Sequence, residues 1–531
     1  MILYALILVP IIAGALIYLI KNRGVLWFAF FLQAALLGLS VYNFVIVQLH
    51  GPYDIVLGNF SAIAGITLRC DTFSAALALL TVFIYFVCFL FGILEKFMNN
   101  LFIFFFLTLQ ALIIAIFLSR DLFNVYVLTE VSTIIVSVLI MYKKDSSSLY
   151  DGMIYLITNI AAMTFFLFGI GFIYRLFGTL NMDLITSKMY KVQDVKALAL
   201  PFAFLITGVG LKCAFLPLFS WLPKAHATTS APSIVSVILS ALYVKSGIFH
   251  FIKLREMFMP AINLDEIFLI IGVATGIVGF ILAMSQKDIK LILAYHTISQ
   301  LGLVLVGVAS GSQFSYFGGI LHLFNHAIFK SLLFLAAGII TDKYGERNIH
   351  KIRGVFKKMP YVSIMMMAAM LGITGAPLFN GSVSKFMIES GVHGRVLEYE
   401  VILINLGTII SFIKLSYIFG GGKGESRIYV DMWKKASVTI MGIMCLAMGF
   451  AGPLFISSIF NYRIDFSITE YLKNMIIFFV SLGGGWLLYH KYLSKTKFIK
   501  NGFALELGIN GIAMSMTAFF AFLVAAVYLF A

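Results

Sequence analysis

Apolar runs of about 20 residues follow one another along almost the whole sequence, and that is the length an α-helix needs to cross the hydrocarbon core of a bilayer. Reading such windows through the chain gives roughly sixteen candidate spanning helices. Only 11% of the 531 residues are charged while 61% are hydrophobic, far more apolar surface than one soluble core buries. The expected fold class is an all-α polytopic membrane protein of about 14 to 16 transmembrane helices. The first segment, Met1 to Lys21, lacks a basic leader and a small-residue cleavage site, and reads as a retained helix.

The net charge of +15 is spread over short loops with no folded basic domain, so it points to membrane topology and not to a nucleic-acid partner. About 22 Lys and Arg fall in loops after odd-numbered helices and about 11 after even-numbered ones, which predicts both termini on the non-cytoplasmic side of the cell's plasma (inner) membrane. The expected cytoplasmic anchors are the stretch from Lys343 to Lys358, the pair Lys434 and Lys435, and the segment from Lys491 to Lys500. Cys70, Cys88, Cys213 and Cys445 are isolated, without the CxxC spacing of an iron–sulfur, zinc or thiol-redox site. Neither a phosphate-binding Gly-rich loop nor a GxSxG elbow occurs, so no cofactor and no catalytic centre is expected on this chain. Its energy has to come from an ion gradient or from a partner.

Pro217 and Pro377 lie in or beside apolar segments otherwise long enough to span, and mark broken helices. Ionisable residues recur at nearly constant separation: 166 residues from Glu130 to His296, 173 from Lys212 to Lys385, 169 from Lys245 to Lys414. Five helices fit that period, and an odd number of spans brings the second copy in from the opposite face. The expected organisation is helices one to three at residues 1–98, a first inverted repeat (helices four to eight) at 99–256, a second (helices nine to thirteen) at 262–422, and helices 14 to 16 at 430–531.

A lysine at a helix centre costs roughly 2.5 to 3.5 kcal/mol on insertion scales, so Lys212, Lys245, Lys330, Lys385 and Lys414 together would cost on the order of 12 to 18 kcal/mol if unpaired. Glu130 lies well inside the run that begins at Leu122, and Lys212 sits just before the break at Pro217. A pair formed by these two would be a tunable proton site, because burial and a neighbouring carboxylate act on a lysine's proton affinity in opposite senses. The bland alternative is an ion pair that holds two helices together. His322, His326 and Lys330 follow at i, i+4 and i+8 and share one helix stripe. Such a stripe suits a proton relay; two histidines at i, i+4 also suit a metal, but no third ligand is present and Lys330 would repel a cation. Lys245 and Lys414 read as mid-helix, Lys385 follows the loose Gly375 to Gly381 segment, and His250 and Lys253 are expected to snorkel from a helix end. Glu130 is the one strong intramembrane carboxylate in this reading.

Several stretches together resemble the proton-conducting antiporter-like subunits shared by respiratory complex I, energy-converting membrane hydrogenases and Mrp-type sodium/proton antiporters. They are Trp221-Leu222-Pro223-Lys224-Ala225-His226 followed by Ser230-Ala231-Pro232, and Gln286 to Lys290 followed by Ala294-Tyr295-His296-Thr297-Ile298-Ser299-Gln300. Asp71 with Phe73 and Ser74, Asp121-Leu122 before Glu130, and the stripe ending in Ser331-Leu332-Leu333-Phe334 add to it. The resemblance covers roughly residues 70 to 420 and leans to the Mrp and hydrogenase branch; Thr129 and Ser382 stand where aromatics are frequent. It implies two inverted half-channels joined by a hydrated polar axis. Glu130 and Lys212 would be the key pair of the first half, Lys245 the connector, His322, His326 and Lys330 the relay, and Lys385 the terminus of the second.

The function expected is proton translocation, with coupled sodium as the open question, by a chain that docks to other membrane subunits. An autonomous transporter of a small solute needs only one or two buried charges, where at least eight titratable groups run along this chain. A structural scaffold has no use for the lysines.

Overall fold

The computed structural model describes the chain apart from residues 21–23, 62–64, 228–230, 422–426, 463, 465, 466, 504 and 531, so Lys21, Ser230 and the C-terminal Ala531 lie outside the described residues. Fifteen of its helices are long and apolar enough to cross a membrane. In chain order these begin with α1 (Ile2–Leu19), α2 (Val25–His50), α3 (Thr72–Gly92), α4 (Asn100–Leu118), α5 (Leu122–Ile140), α6 (Ser146–Phe177), α7 (Val195–Lys212) and α8 (Ser233–Phe258). Then come α9 (Asp265–Ser285), α10 (Ile289–Ala309) and α11 (Gln313–Tyr344). A further crossing, α12, is made in two pieces, Pro360–Thr374 and Asn380–Ser390. The rest are α13 (Val396–Ser416), α14 (Met432–Phe460), α15 (Ile468–Lys491) and α16 (Ile509–Phe530). A two-stranded antiparallel ribbon, β1 (Tyr53–Val56) with β2 (Thr67–Cys70), closes the connection between α2 and α3.

Local sequence explains where these helices start and stop. Asp71, Asp121, Asp288 and Asp431 accept hydrogen bonds from backbone N–H groups in the first turns of α3, α5, α10 and α14, satisfying donors that lipid could not. Both expected breaks are present. α7 stops at Lys212 and resumes as the short helix Trp221–Ala227, with Ala214 at φ 53° between them and Pro217 inside the break. α12 stops at Thr374, where Gly375 at φ 82° ends the helix in the left-handed region, and Pro377 lies in the gap before Asn380.

One backbone ladder occurs twice. Leu122 N–H donates to Leu180 O at 3.0 Å and Met182 N–H to Arg120 O at 2.9 Å; Ile289 N–H donates to Arg347 O at 3.0 Å and Ile349 N–H to Lys287 O at 2.9 Å. Each residue is 167 positions from its counterpart (122 to 289, 182 to 349), and the same interval separates the left-handed glycines Gly178 and Gly345 that end the two 32-residue helices α6 and α11.

Burial sorts the helices. α8 and α11 are buried along their whole spanning windows and α10 almost so, while α1, α2 and α15 are peripheral. Outer faces carry exposed side chains such as Ile270, Phe450, Leu454 and Val480, an apolar surface of the kind a bilayer covers. Lys212, Lys245, His296, His322, His326, Lys330, Lys385 and Lys414 are buried, and Glu130 on α5 is partly so. The two C-terminal helices pack on this chain's own bundle: α16 sets Phe520 4.4 Å from Phe204 of α7, and α15 lies along α13, with Gly485 against Ile410.

Candidate functional site

The first cluster forms where α7 breaks. Lys212, at the end of the first half-helix and 4% exposed, donates to Thr133 Oγ1 of α5 at 2.7 Å and to the Tyr243 hydroxyl of α8 at 3.2 Å. Thr133 and Tyr243 are themselves 2.9 Å apart, and Ser132 reaches the same phenol at 3.3 Å. Glu130 is one turn before Thr133 on α5, partly buried, with its Oε1 unpartnered among the described residues. The expected direct Glu130–Lys212 pair is not formed: no ion pair within 4.0 Å joins them among the described residues. The ammonium is taken up instead by the hydroxyls of Thr133 and Tyr243.

Tyr243 closes a π-helical turn, Leu239–Tyr243, in the middle of α8. A π-turn widens the helix and leaves a carbonyl without its usual partner, which is why such turns collect at functional sites. The Lys245 ammonium donates to the carbonyl of Ser240, inside this turn. The same ammonium lies 2.5 Å from Nδ1 of His326 on α11. Ser240 also ties α8 to α10 through a 2.8 Å contact of its hydroxyl with Thr297.

From His326 the stripe on α11 runs both ways. One turn on, Lys330 donates to Leu293 O of α10 at 2.5 Å. One turn back, His322 contacts Gln300 Oε1 through Nε2 at 3.0 Å and Ser384 Oγ through Nδ1 at 2.9 Å, and Ser384 is the neighbour of Lys385. With both ring nitrogens engaged by α10 and α12, His322 can take a proton on one side and release it on the other. All three stripe residues have no solvent exposure, as has His296, whose ring packs 4.9 Å from Phe412 and whose nitrogens have no partner among the described residues. His296 therefore stands beside the row and not in its hydrogen-bonded chain.

A model of the family described as NADH:quinone oxidoreductase/Mrp antiporter, TM, matches residues 119–413, more than half of the chain and every residue from Glu130 to Lys385 described above. The chain belongs to this family. Within the NADH:quinone oxidoreductase/Mrp antiporter family it is similar to a subunit of the Na(+)/H(+) antiporter of Alkalihalophilus pseudofirmus, 29% identical over 432 residues that cover 78% of this chain and 86% of that one. Its fold is similar to that of a chain in the membrane-bound sulfane sulfur reductase, an archaeal respiratory membrane complex, at TM-score 0.80 and 23% identity over 91% of this chain and 99% of the other. It is equally similar to a chain of the Mrp complex from Dietzia sp. DQ12-45-1b, at TM-score 0.80 and 20% identity over 94% and 99%. These structural neighbours are parts of membrane complexes, and a multi-pass membrane protein is what the family comparison and the fifteen apolar spans show here.

Three expectations for this family member need correction. Lys414 is not mid-helix: it lies in the last turn of α13 and donates to Met284 O at 2.6 Å and to Gln286 O, the carbonyls that end α9. A cation at a helix C-terminus is favoured by the dipole, and that local partner explains the burial without a place in the row. His250 does not snorkel; it is 3% exposed, two turns inside the end of α8, with Nδ1 2.9 Å from Ser246 O. Glu130 is not the one carboxylate set beside a buried lysine, since Glu389 stands one turn beyond Lys385 in the second half of α12. That i, i+4 spacing was visible in the sequence, but the loose glycine segment before it obscured the helix. Thr133, Tyr243, Gln300 and Ser384 carried no sequence signal, because isolated hydroxyls and amides are common in buried helices and only the packing selects these four.

Proposed function

We propose that this chain is the proton-translocating, antiporter-like subunit of a multi-subunit membrane complex. The observation that carries the reading is the row itself: Glu130, Lys212, Lys245, His326, His322 and Lys385 lie along five helices, with Thr133 and Tyr243 holding Lys212, Lys245 meeting His326, Ser384 tying His322 to the helix of Lys385, and Lys330 flanking them. Buried ionisable groups in contact favour one proton per site and disfavour two, so a charge added at one end repels its neighbour forward. The two halves meet at Lys245 and His326. The ladder recurring at 167 residues supports the division into inverted repeats, with 99–256 and 262–422 related by an axis in the membrane plane, and the clusters of basic loops support termini outside the plasma membrane.

Protons are the ion that a row of ammonium and imidazole groups suits; sodium would need grouped oxygen ligands. Partners are the other membrane subunits, which supply the energy by redox chemistry or by an opposing gradient. The test is proton movement by the reconstituted complex with and without a sodium gradient. Proton uptake that persists without sodium and is lost in Lys245→Ala supports the proposal, and undiminished uptake in that variant overturns it.

A further inference from the structure

Beyond His322 the row ends in a water-sized vestibule whose outer wall is a helix outside the family match. Lys385 is 4% exposed, its ammonium has no partner among the described residues, and it lines a cavity of about 50 Å³ as measured by the space open to water centres. That is room for several waters, since one needs roughly 10 to 15 Å³ on this measure. The walls include Glu389 of α12, Asn405 of α13, and Asn474 and Ser481 of α15. A second cavity of about 120 Å³ shares Glu389 and Asn474 with the first and runs past His393, Glu398, Glu470 and Lys473. Glu389 is the carboxylate common to both, between a buried ammonium and a set of surface charges.

α15 suits a wall. Glu470, Lys473, Asn474, Ile477 and Ser481 line these cavities, at helical spacing along one stripe, while Ile476, Phe479 and Val480 are 65%, 58% and 69% exposed on the opposite, outward side. The helix is pinned over the break in α12 by Tyr471, whose hydroxyl lies 3.0 Å from Ser382 Oγ and accepts from Leu378 N–H at 3.4 Å.

We infer that α15 is the outer wall of the ion-release vestibule and that Glu389 carries protons from Lys385 through it to the surface. The inference rests on the proton-path reading above. The Lys385 ammonium gives a proton, through water, to the Glu389 carboxylate, leaving a neutral amine and a carboxylic acid; the acid then gives it to solvent and returns to the carboxylate. The charged groups facing Glu389 are Lys385 on its own helix, His393 in the following loop, Glu398 on α13, and Glu470 and Lys473 on α15. His393 holds Glu398 at 2.9 Å, and Lys473 of α15 faces Glu389 from the surface end of the second cavity.

The test uses the assembled complex in sealed vesicles. All four native cysteines are buried, so Asn474→Cys and the outward-facing control Val480→Cys report on added thiols. A charged, membrane-impermeant thiol reagent is expected to modify Asn474→Cys, seen as the mass of the adduct, and to lower proton movement by about tenfold after folding is complete, while Val480→Cys stays unmodified. Glu389→Gln is expected to lose about tenfold and Glu389→Asp to keep part of the rate. An unreactive Asn474→Cys, unchanged movement after its modification, or a wild-type rate in Glu389→Gln overturns the inference. Glu130→Gln separates the two levels: loss there with retention in Glu389→Gln overturns the vestibule alone, and a wild-type rate there overturns the proton path itself.

Discussion

The ammonium of Lys245 lies 2.5 Å from Nδ1 of His326, across the interface of two helices buried on every side. Two cations at that separation, away from water, would repel strongly, so the pair holds one proton at a time. On the proposed path, a proton arriving at Lys245 would have to move to the imidazole before the next could follow. Lys245→Ala and His326→Ala should each lower proton movement in vesicles by about tenfold or more, and the double variant should cost little beyond either, because residues acting as a unit are not additive. Additive losses at matched protein levels would mean that the two work independently.

At the break in α7, Lys212 depends on two hydroxyls. Tyr243→Phe removes one and should slow transport without unfolding the chain, since the ring and its packing remain. Lys212→Arg should be poor, because an arginine does not release its proton, whereas Glu130→Asp should keep part of the activity, with charge retained and only reach lost. Glu130→Ala combined with Lys212→Ala should be little worse than either alone. Proton translocation in vesicles measures all of these, and a wild-type rate in Lys212→Arg would show that this lysine does not cycle its proton.

α9 and α10 touch backbone to backbone. A Cβ on Gly302 would lie 2.4 Å from Gly276 N and 2.6 Å from Gly272 O, so the helices would have to separate. Gly302→Ala should destabilise the protein by about 1 to 3 kcal/mol, the usual cost of overpacking, and lower its melting temperature in detergent. Gly483→Ala on α15, where nothing lies within 4 Å, is the matched control and should leave the melting temperature unchanged.

Topology is open to direct labelling because the native cysteines are buried. Lys351→Cys, in the loop after α11, should react with an impermeant reagent only from the cytoplasmic side, and Tyr190→Cys, 75% exposed between α6 and α7, only from outside. The reverse pattern would invert the assignment drawn from the basic loops.

The span count, the two breaks and most members of the row were legible in the chain because each has a local cause. Hydrophobic length, a missing proline donor and the cost of an ionisable side chain in lipid are incurred residue by residue. Even the stripe His322, His326, Lys330 needs only helical periodicity. What the side chains meet is not local. Lys212 finds Thr133 and Tyr243 instead of Glu130 because α5, α7 and α8 cross where α8 is widened by a π-turn, and no propensity in Leu239–Tyr243 announces it. Lys414 looked the same as Lys245 in sequence, yet one caps the end of α9 and the other faces His326. Glu389 lines a cavity closed by side chains more than 80 residues later. Composition and periodicity determined that this chain spans a membrane and carries a row of buried charges; helix packing alone decided which of those charges touch, because a contact belongs to two helices and its geometry is set by both.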